Sequence, residues 1–99
     1  GIHPGEAEGT DAILMLMRDI VITTKHEDLL ENITFIFLPA FNVDGLNRMG
    51  PYNRINQNGP EEMGWRATNQ NLNLNRDFLK ADAPAMHAYF LQVYVSYNL

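Results

Sequence analysis

Four apolar residues, Ile13, Leu16, Met17 and Ile20, recur at i, i+3, i+4 and i+7, and Leu14 and Val21 widen the stripe. That 3.6-residue period predicts an amphipathic helix from residue 10 to about residue 25. Thr10 is the expected N-cap, and Asp11 falls in the first turn, where the helix dipole favours a negative charge. Lys25 and His26 stand near the expected end. Residues 33–38 read ITFIFL, β-branched and aromatic with almost no alternation. This predicts a strand covered on both faces and ended by Pro39. A last stripe, Met86, Phe90, Val93 and Tyr97, predicts a helix capped by Asp82 with Pro84 in its first turn.

The polar segments are as distinctive. Residues 1–9, GIHPGEAEG, hold three glycines and a proline and read as a loop. Residues 42–80 form a long polar stretch rich in Asn, Gly and Pro, in which only Leu72 and Leu74 of NLNLN alternate like a short strand. A loop of that length marks either a functional surface or a mistaken assignment. The order loop, helix, strand, long loop, helix is a βα-type layout. A single strand makes no sheet, so further strands are expected, and with them a larger domain.

Composition narrows the function. The 99 residues allow one small domain. There is no cysteine, which excludes disulfides, thiolate zinc sites and cysteine nucleophiles. Seven basic against twelve acidic residues give a net charge of −5 and no basic patch, which argues against a nucleic-acid partner. No apolar run approaches the ~20 residues of a membrane span. The first residue is Gly1, so the N-terminus says nothing about compartment.

Four short motifs carry candidate chemistry. His3 and Glu6 stand as His-x-x-Glu in a glycine-containing loop. An imidazole and a carboxylate at that spacing are both able to face one zinc ion. Taken singly the motif is common, and a solvated loop with a surface His explains it better. Arg66 follows Trp65 in the long loop and alone reads as a surface charge. Asn75 and Arg76 close the NLNLNR run, and an Arg fork with an adjacent amide matches a carboxylate. Asn42, Val43, Asp44 and Gly45 follow the expected strand, where ligands of open α/β sheets sit, and Asp44-Gly45 signals a turn.

Taken in order, GIHPGE, P-x-x-N-x-D-G, W-R and L-N-R-D-F resemble the zinc carboxypeptidases of the carboxypeptidase A-like family, from Gly1 to about Phe78. The resemblance implies an α/β fold, part of a three-layer αβα domain with a mixed sheet, cut at both ends. Residues 1–99 are then a fragment of one catalytic domain. It implies one Zn²⁺ held by His3 and Glu6, with Arg66 stabilising the oxyanion and Asn75 and Arg76 binding the substrate's free C-terminal carboxylate. Residues 42–45 become a structural turn beside the site. The implied activity is hydrolysis of the C-terminal peptide bond of a peptide or protein, and the family favours a secreted or periplasmic setting.

The family's third ligand (a His on a later strand), a mobile-loop tyrosine and a catalytic glutamate all lie downstream of the L-N-R motif and have no counterpart here. The isolated chain is therefore expected to bind zinc weakly and to be inactive. His26, at a helix end, and His87, beside Met86, lack the context of ligands, and Glu61 and Glu62 read as solvated. Asn53, Asn56, Asn58, Asn69, Asn71 and Asn73 are placed near the cleft rim with no contact assigned. Two other readings stand beside the peptidase. One is an aspartoacylase- or desuccinylase-type zinc amidohydrolase acting on N-acyl amino acids. The other is a non-catalytic fragment that binds C-terminal carboxylates. The interval from His3 to Arg66 and the intact N-x-D-G turn favour the peptidase.

Overall fold

The computed structural model describes residues 1–54 and 58–99. Helix α1 spans Glu8–Val21, and it begins before Thr10, with Ala7 at the cap position and Glu8 and Asp11 in the first turn. Thr10 is no cap. Its hydroxyl donates to the Pro39 carbonyl at 3.0 Å and ties the helix to the end of the apolar segment. The helix stops at Val21, short of Lys25, where Ile22, Thr23 and Thr24 supply β-branched residues of low helix propensity. Thr24 and His26 then take positive φ, and a 3₁₀ turn follows at Glu27–Glu31.

The expected strand and sheet do not form. Residues 33–38 have no ladder partner, and among the described residues the only β pairing is an isolated antiparallel bridge between Gly50 and Met63. The three-layer αβα expectation with a mixed sheet is thereby overturned. The physical reason is direct: a strand exists by pairing its N–H and C=O groups with a second backbone, and no other segment of the described residues supplies one. The apolar character of the segment is real but uncovered. Phe35 and Phe37 stack with centroids 5.6 Å apart, while Ile33 and Ile36 face solvent. The α1 stripe is uncovered in the same way. Of its members only Ile20 is buried, and Leu14, Leu16 and Val21 are exposed.

The long polar stretch is more structured than its composition suggests. Helix α2 is a single turn at Val43–Leu46, capped by the Asn42 side chain, which accepts from the Gly45 N–H. NLNLN is no strand: Leu74–Arg76 form a 3₁₀ turn, because the Asn73 side-chain oxygen accepts from the Asn75 N–H and closes the backbone locally. Helix α3 spans Pro84–Tyr89, with proline at its start, and winds on as a π-helix over Phe90–Val95. Its N-cap is Ala83, not Asp82. The orphan N–H groups of Asp82 and Ala83 donate to the Asp77 carboxylate at 3.0 and 2.8 Å.

Leu74, Ala83 and Met86 form the core, and Ile2, Phe41, Tyr89 and Phe90 pack around them. Phe41 and Tyr89 are tilted ring neighbours at 5.4 Å. Each loop that enters this core does so one residue away from a polar residue of the site. Ile2 precedes His3, Phe41 precedes Asn42, and Leu74 separates Asn73 from Asn75. The core thus positions the site by anchoring its neighbours. No helix among the described residues is long and apolar enough to cross a membrane.

Candidate active site

The His-x-x-Glu motif is a closed turn. The Glu6 N–H donates to the His3 carbonyl at 2.9 Å, with Pro4 at the second position, where its fixed φ suits such a turn. The turn brings His3 Nδ1 to 3.4 Å from Glu6 Oε1. His3 is buried, and the Glu6 side chain is partly open to solvent. The loop is pinned below by the Asn42 N–H, which donates to the Gly1 carbonyl at 2.9 Å.

Asn73 decides which imidazole nitrogen faces Glu6. Its side-chain oxygen accepts from the Asn75 N–H at 3.1 Å, which identifies that atom as the oxygen. The same oxygen lies 2.9 Å from His3 Nε2, so Nε2 carries the proton and donates. In neutral His3 the Nδ1 lone pair is then aimed at the Glu6 carboxylate. Two acceptors facing each other at that distance repel unless a cation lies between them or Nδ1 is protonated. The hydrogen bond to the far nitrogen is the arrangement usual for a metal-binding histidine.

Two guanidinium groups converge on the same carboxylate oxygen. Arg54 Nη1 donates to Glu6 Oε1 at 2.6 Å, and Arg66 Nη1 lies at 3.4 Å. The Arg54 hydrogen bond, opposed by partial burial and reinforced by the charges of His3 and Arg54, holds the Glu6 carboxyl below the usual carboxylate range. Arg66 is delivered by packing around α2. The Asn42 amide donates to the Arg66 carbonyl at 3.3 Å, and the Trp65 N–H donates to the Gly45 carbonyl at 2.8 Å. Arg48 lies over the Trp65 ring at 4.8 Å. Gly64 is required at the crossing, because a Cβ there would sit 2.3 Å from that of Pro4.

His3 and Glu6 therefore meet Arg66, which lies 60 positions beyond Glu6 in the chain. Asn75 and Arg76 are exposed on the 3₁₀ turn, where Arg76 Nη1 donates to the Asn75 carbonyl at 2.8 Å. They join the cluster through Asn73, which links the Asn75 backbone to His3. His26, His87, Glu61 and Glu62 are exposed and stand outside it. Of the rim asparagines, Asn56 lies outside the described residues, and Asn53 donates to the carbonyls of Arg48 and Met63. Sequence reasoning places Asn73 near the cleft rim without assigning it a contact, and it misses Arg54. Asn73 carried a faint signal, an Asn two residues before the N-R pair, whereas Arg54 carried none.

The donor pair fits zinc. Two ligand atoms at ~2.0–2.1 Å from a tetrahedral zinc are separated by ~3.3 Å, close to the observed Nδ1–Oε1 spacing. No group of three or more His, Cys, Asp or Glu side chains able to hold a metal is present among the described residues. A histidine and a carboxylate converging beside guanidinium groups have the donor chemistry to hold a cation and to stabilise an anion beside it. A family model described as zinc carboxypeptidase matches residues 1–94, and the chain belongs to that family. Comparison with curated proteins and with solved structures gives no match.

Proposed function

We propose that these residues are part of the catalytic domain of a metallocarboxypeptidase that removes the C-terminal residue of peptides or proteins. The observation that supports it most is the pairing of His3 Nδ1 with Glu6 Oε1 at 3.4 Å while Nε2 is engaged by Asn73. His3 and Glu6 are the residues that would hold zinc. When bound, zinc acidifies a water molecule and polarises a carbonyl. Arg66 then serves as the positive donor toward the oxyanion that develops on the substrate, a role worth ~3 kcal/mol for a single donor. Asn75 and Arg76 bind the terminal carboxylate, and a substrate lacking that group leaves Arg76 unpaired. The third ligand and the general base come from residues outside this chain.

The test uses the full-length protein that carries these residues. A blocked dipeptide with a free C-terminus, its C-terminal amide and an N-acyl aspartate are assayed side by side. The reading expects zinc-dependent cleavage of the free acid alone, lost in His3→Ala together with zinc binding. Cleavage of only the N-acyl aspartate identifies an amidohydrolase instead. Absence of zinc binding identifies a non-catalytic protein.

A further inference from the structure

Arg54 is not required by any motif, yet it makes the shortest polar contact in the site, 2.6 Å from Nη1 to Glu6 Oε1. Its side chain is only 10% exposed, whereas that of Glu6 is 42% exposed. The buried partner is therefore the arginine, and the carboxylate is the more exposed end. A guanidinium buried to that degree needs a fixed acceptor, and Glu6 supplies one.

The surroundings are built for this approach. The Arg54 stem runs over Gly5, the residue just before Glu6. A Cβ on Gly5 would sit 2.9 Å from Arg54 Cγ and 3.1 Å from the Gly64 carbonyl oxygen. The preceding residue is tied down as well, since the Asn53 amide donates to the carbonyls of Arg48 and Met63, each at 2.7 Å. Met63 is in turn paired with Gly50 in the antiparallel bridge. Arg54 thus leaves a fixed backbone, crosses a gap that only glycine provides and ends on the oxygen that faces His3 Nδ1.

We propose that Arg54 is a positioning residue for the metal site, fixing the Glu6 carboxylate in the rotamer that faces His3. This inference rests on the reading of His3 and Glu6 as zinc ligands. It predicts a definite sign. A guanidinium acting only as a nearby positive charge opposes a dication, so its removal would tighten zinc binding. A guanidinium that orients the ligand does the reverse, and loss of such an outer partner weakens metal binding ~10–100-fold.

The experiment measures zinc affinity of the full-length protein by competition with a chromogenic chelator, with the metal alone as probe, and the unfolding midpoint of the metal-free protein in parallel. Arg54→Met keeps the apolar stem over Gly5 and removes the donors, and it is expected to weaken zinc binding ~10–100-fold. Arg54→Lys keeps a donor and is expected to fall between Arg54→Met and the wild type. Gly5→Ala keeps the guanidinium but pushes its stem away from Glu6, and it carries the test if Arg54→Met does not fold. It is expected to weaken binding in the same direction. Unchanged or tighter zinc binding in Arg54→Met, or in Gly5→Ala when that variant carries the test, overturns the role of Arg54. If His3→Ala leaves zinc affinity unchanged, the ligand assignment itself fails, which distinguishes the two failures.

Discussion

The Asn73 side-chain oxygen accepts from His3 Nε2 at 2.9 Å, joining residues 70 positions apart in the chain. One oxygen thereby performs two tasks, since it also closes the 3₁₀ turn through the Asn75 N–H. It sets the tautomer of His3 and fixes the backbone that carries Asn75 and Arg76. The His3 imidazole and the turn that carries Asn75 and Arg76 share a single atom.

Removing that atom has a predictable cost. Asn73→Ala frees the imidazole to rotate and to exchange tautomers, and zinc affinity is expected to fall ~10–100-fold. Asn73→Asp keeps an acceptor for both donors and is expected to retain most of the affinity. Chelator competition on the full-length variants measures both. Equal affinity in Asn73→Ala and wild type would remove Asn73 from the site.

Asn42 joins two other parts. It is 2% exposed, caps α2 through the Gly45 N–H and donates to the Arg66 carbonyl. Asn42→Ala removes a helix cap at ~1 kcal/mol and strands a buried carbonyl at ~1–3 kcal/mol. Asn42→Ser keeps a side-chain acceptor for the cap and loses the amide donor, so its cost is expected to be smaller. Urea unfolding reports the difference, and a destabilisation by Asn42→Ser as large as that by Asn42→Ala would show that the cap contributes nothing.

The convergence of His3, Glu6 and Arg66 is more legible in the sequence than the fold is. His-x-x-Glu spacing is a local property: a four-residue turn brings His3 and Glu6 together whatever surrounds it. Arg66 required long-range packing, and the residues that deliver it, Asn42 and Gly45, were visible as a turn signal. Arg54 was not visible, because its partner is 48 positions away and its stem depends on a glycine in another loop. The helix periodicity at α1 and α3 was correct in type but wrong at the caps, where Thr10 and Asp82 gave way to tertiary contacts. Residues 33–38 were misread for a different reason. Apolar, β-branched composition reports what a segment fits, and strand formation depends on a partner backbone that composition does not reveal.

Arg76 supplies a test of substrate recognition that is independent of zinc. Its guanidinium is exposed and, among the described residues, engages the neighbouring Asn75 carbonyl through Nη1, which leaves further donors for a carboxylate. A charged hydrogen bond to a substrate carboxylate is worth ~1.5–3 kcal/mol, so Arg76→Ala in the full-length protein is expected to raise KM roughly ten- to a hundredfold. Because the contact is made equally in the ground and transition states, kcat is expected to change little. Steady-state kinetics on free-acid peptides measures this. Unchanged KM would exclude Arg76 from the clamp.

Asp77 provides the test of how the core supports the site. It is buried, and its carboxylate accepts from the Asp82 and Ala83 N–H groups at the start of α3. Those donors are the orphans that a helix start must satisfy, and the residue that satisfies them lies next to Arg76 in the chain. Helix α3 carries Met86 into the core against Leu74, the residue between Asn73 and Asn75. Asp77→Ala leaves two donors unpaired, each at ~1–3 kcal/mol, and loosens the Leu74–Met86 contact. Asp77→Asn retains one acceptor oxygen, so it is expected to lose about half as much. Chemical denaturation of the full-length variants orders the three proteins as wild type, Asp77→Asn, Asp77→Ala. If Asp77→Ala matched wild type in stability, the capping of α3 from outside the helix would contribute nothing to holding the substrate turn in place.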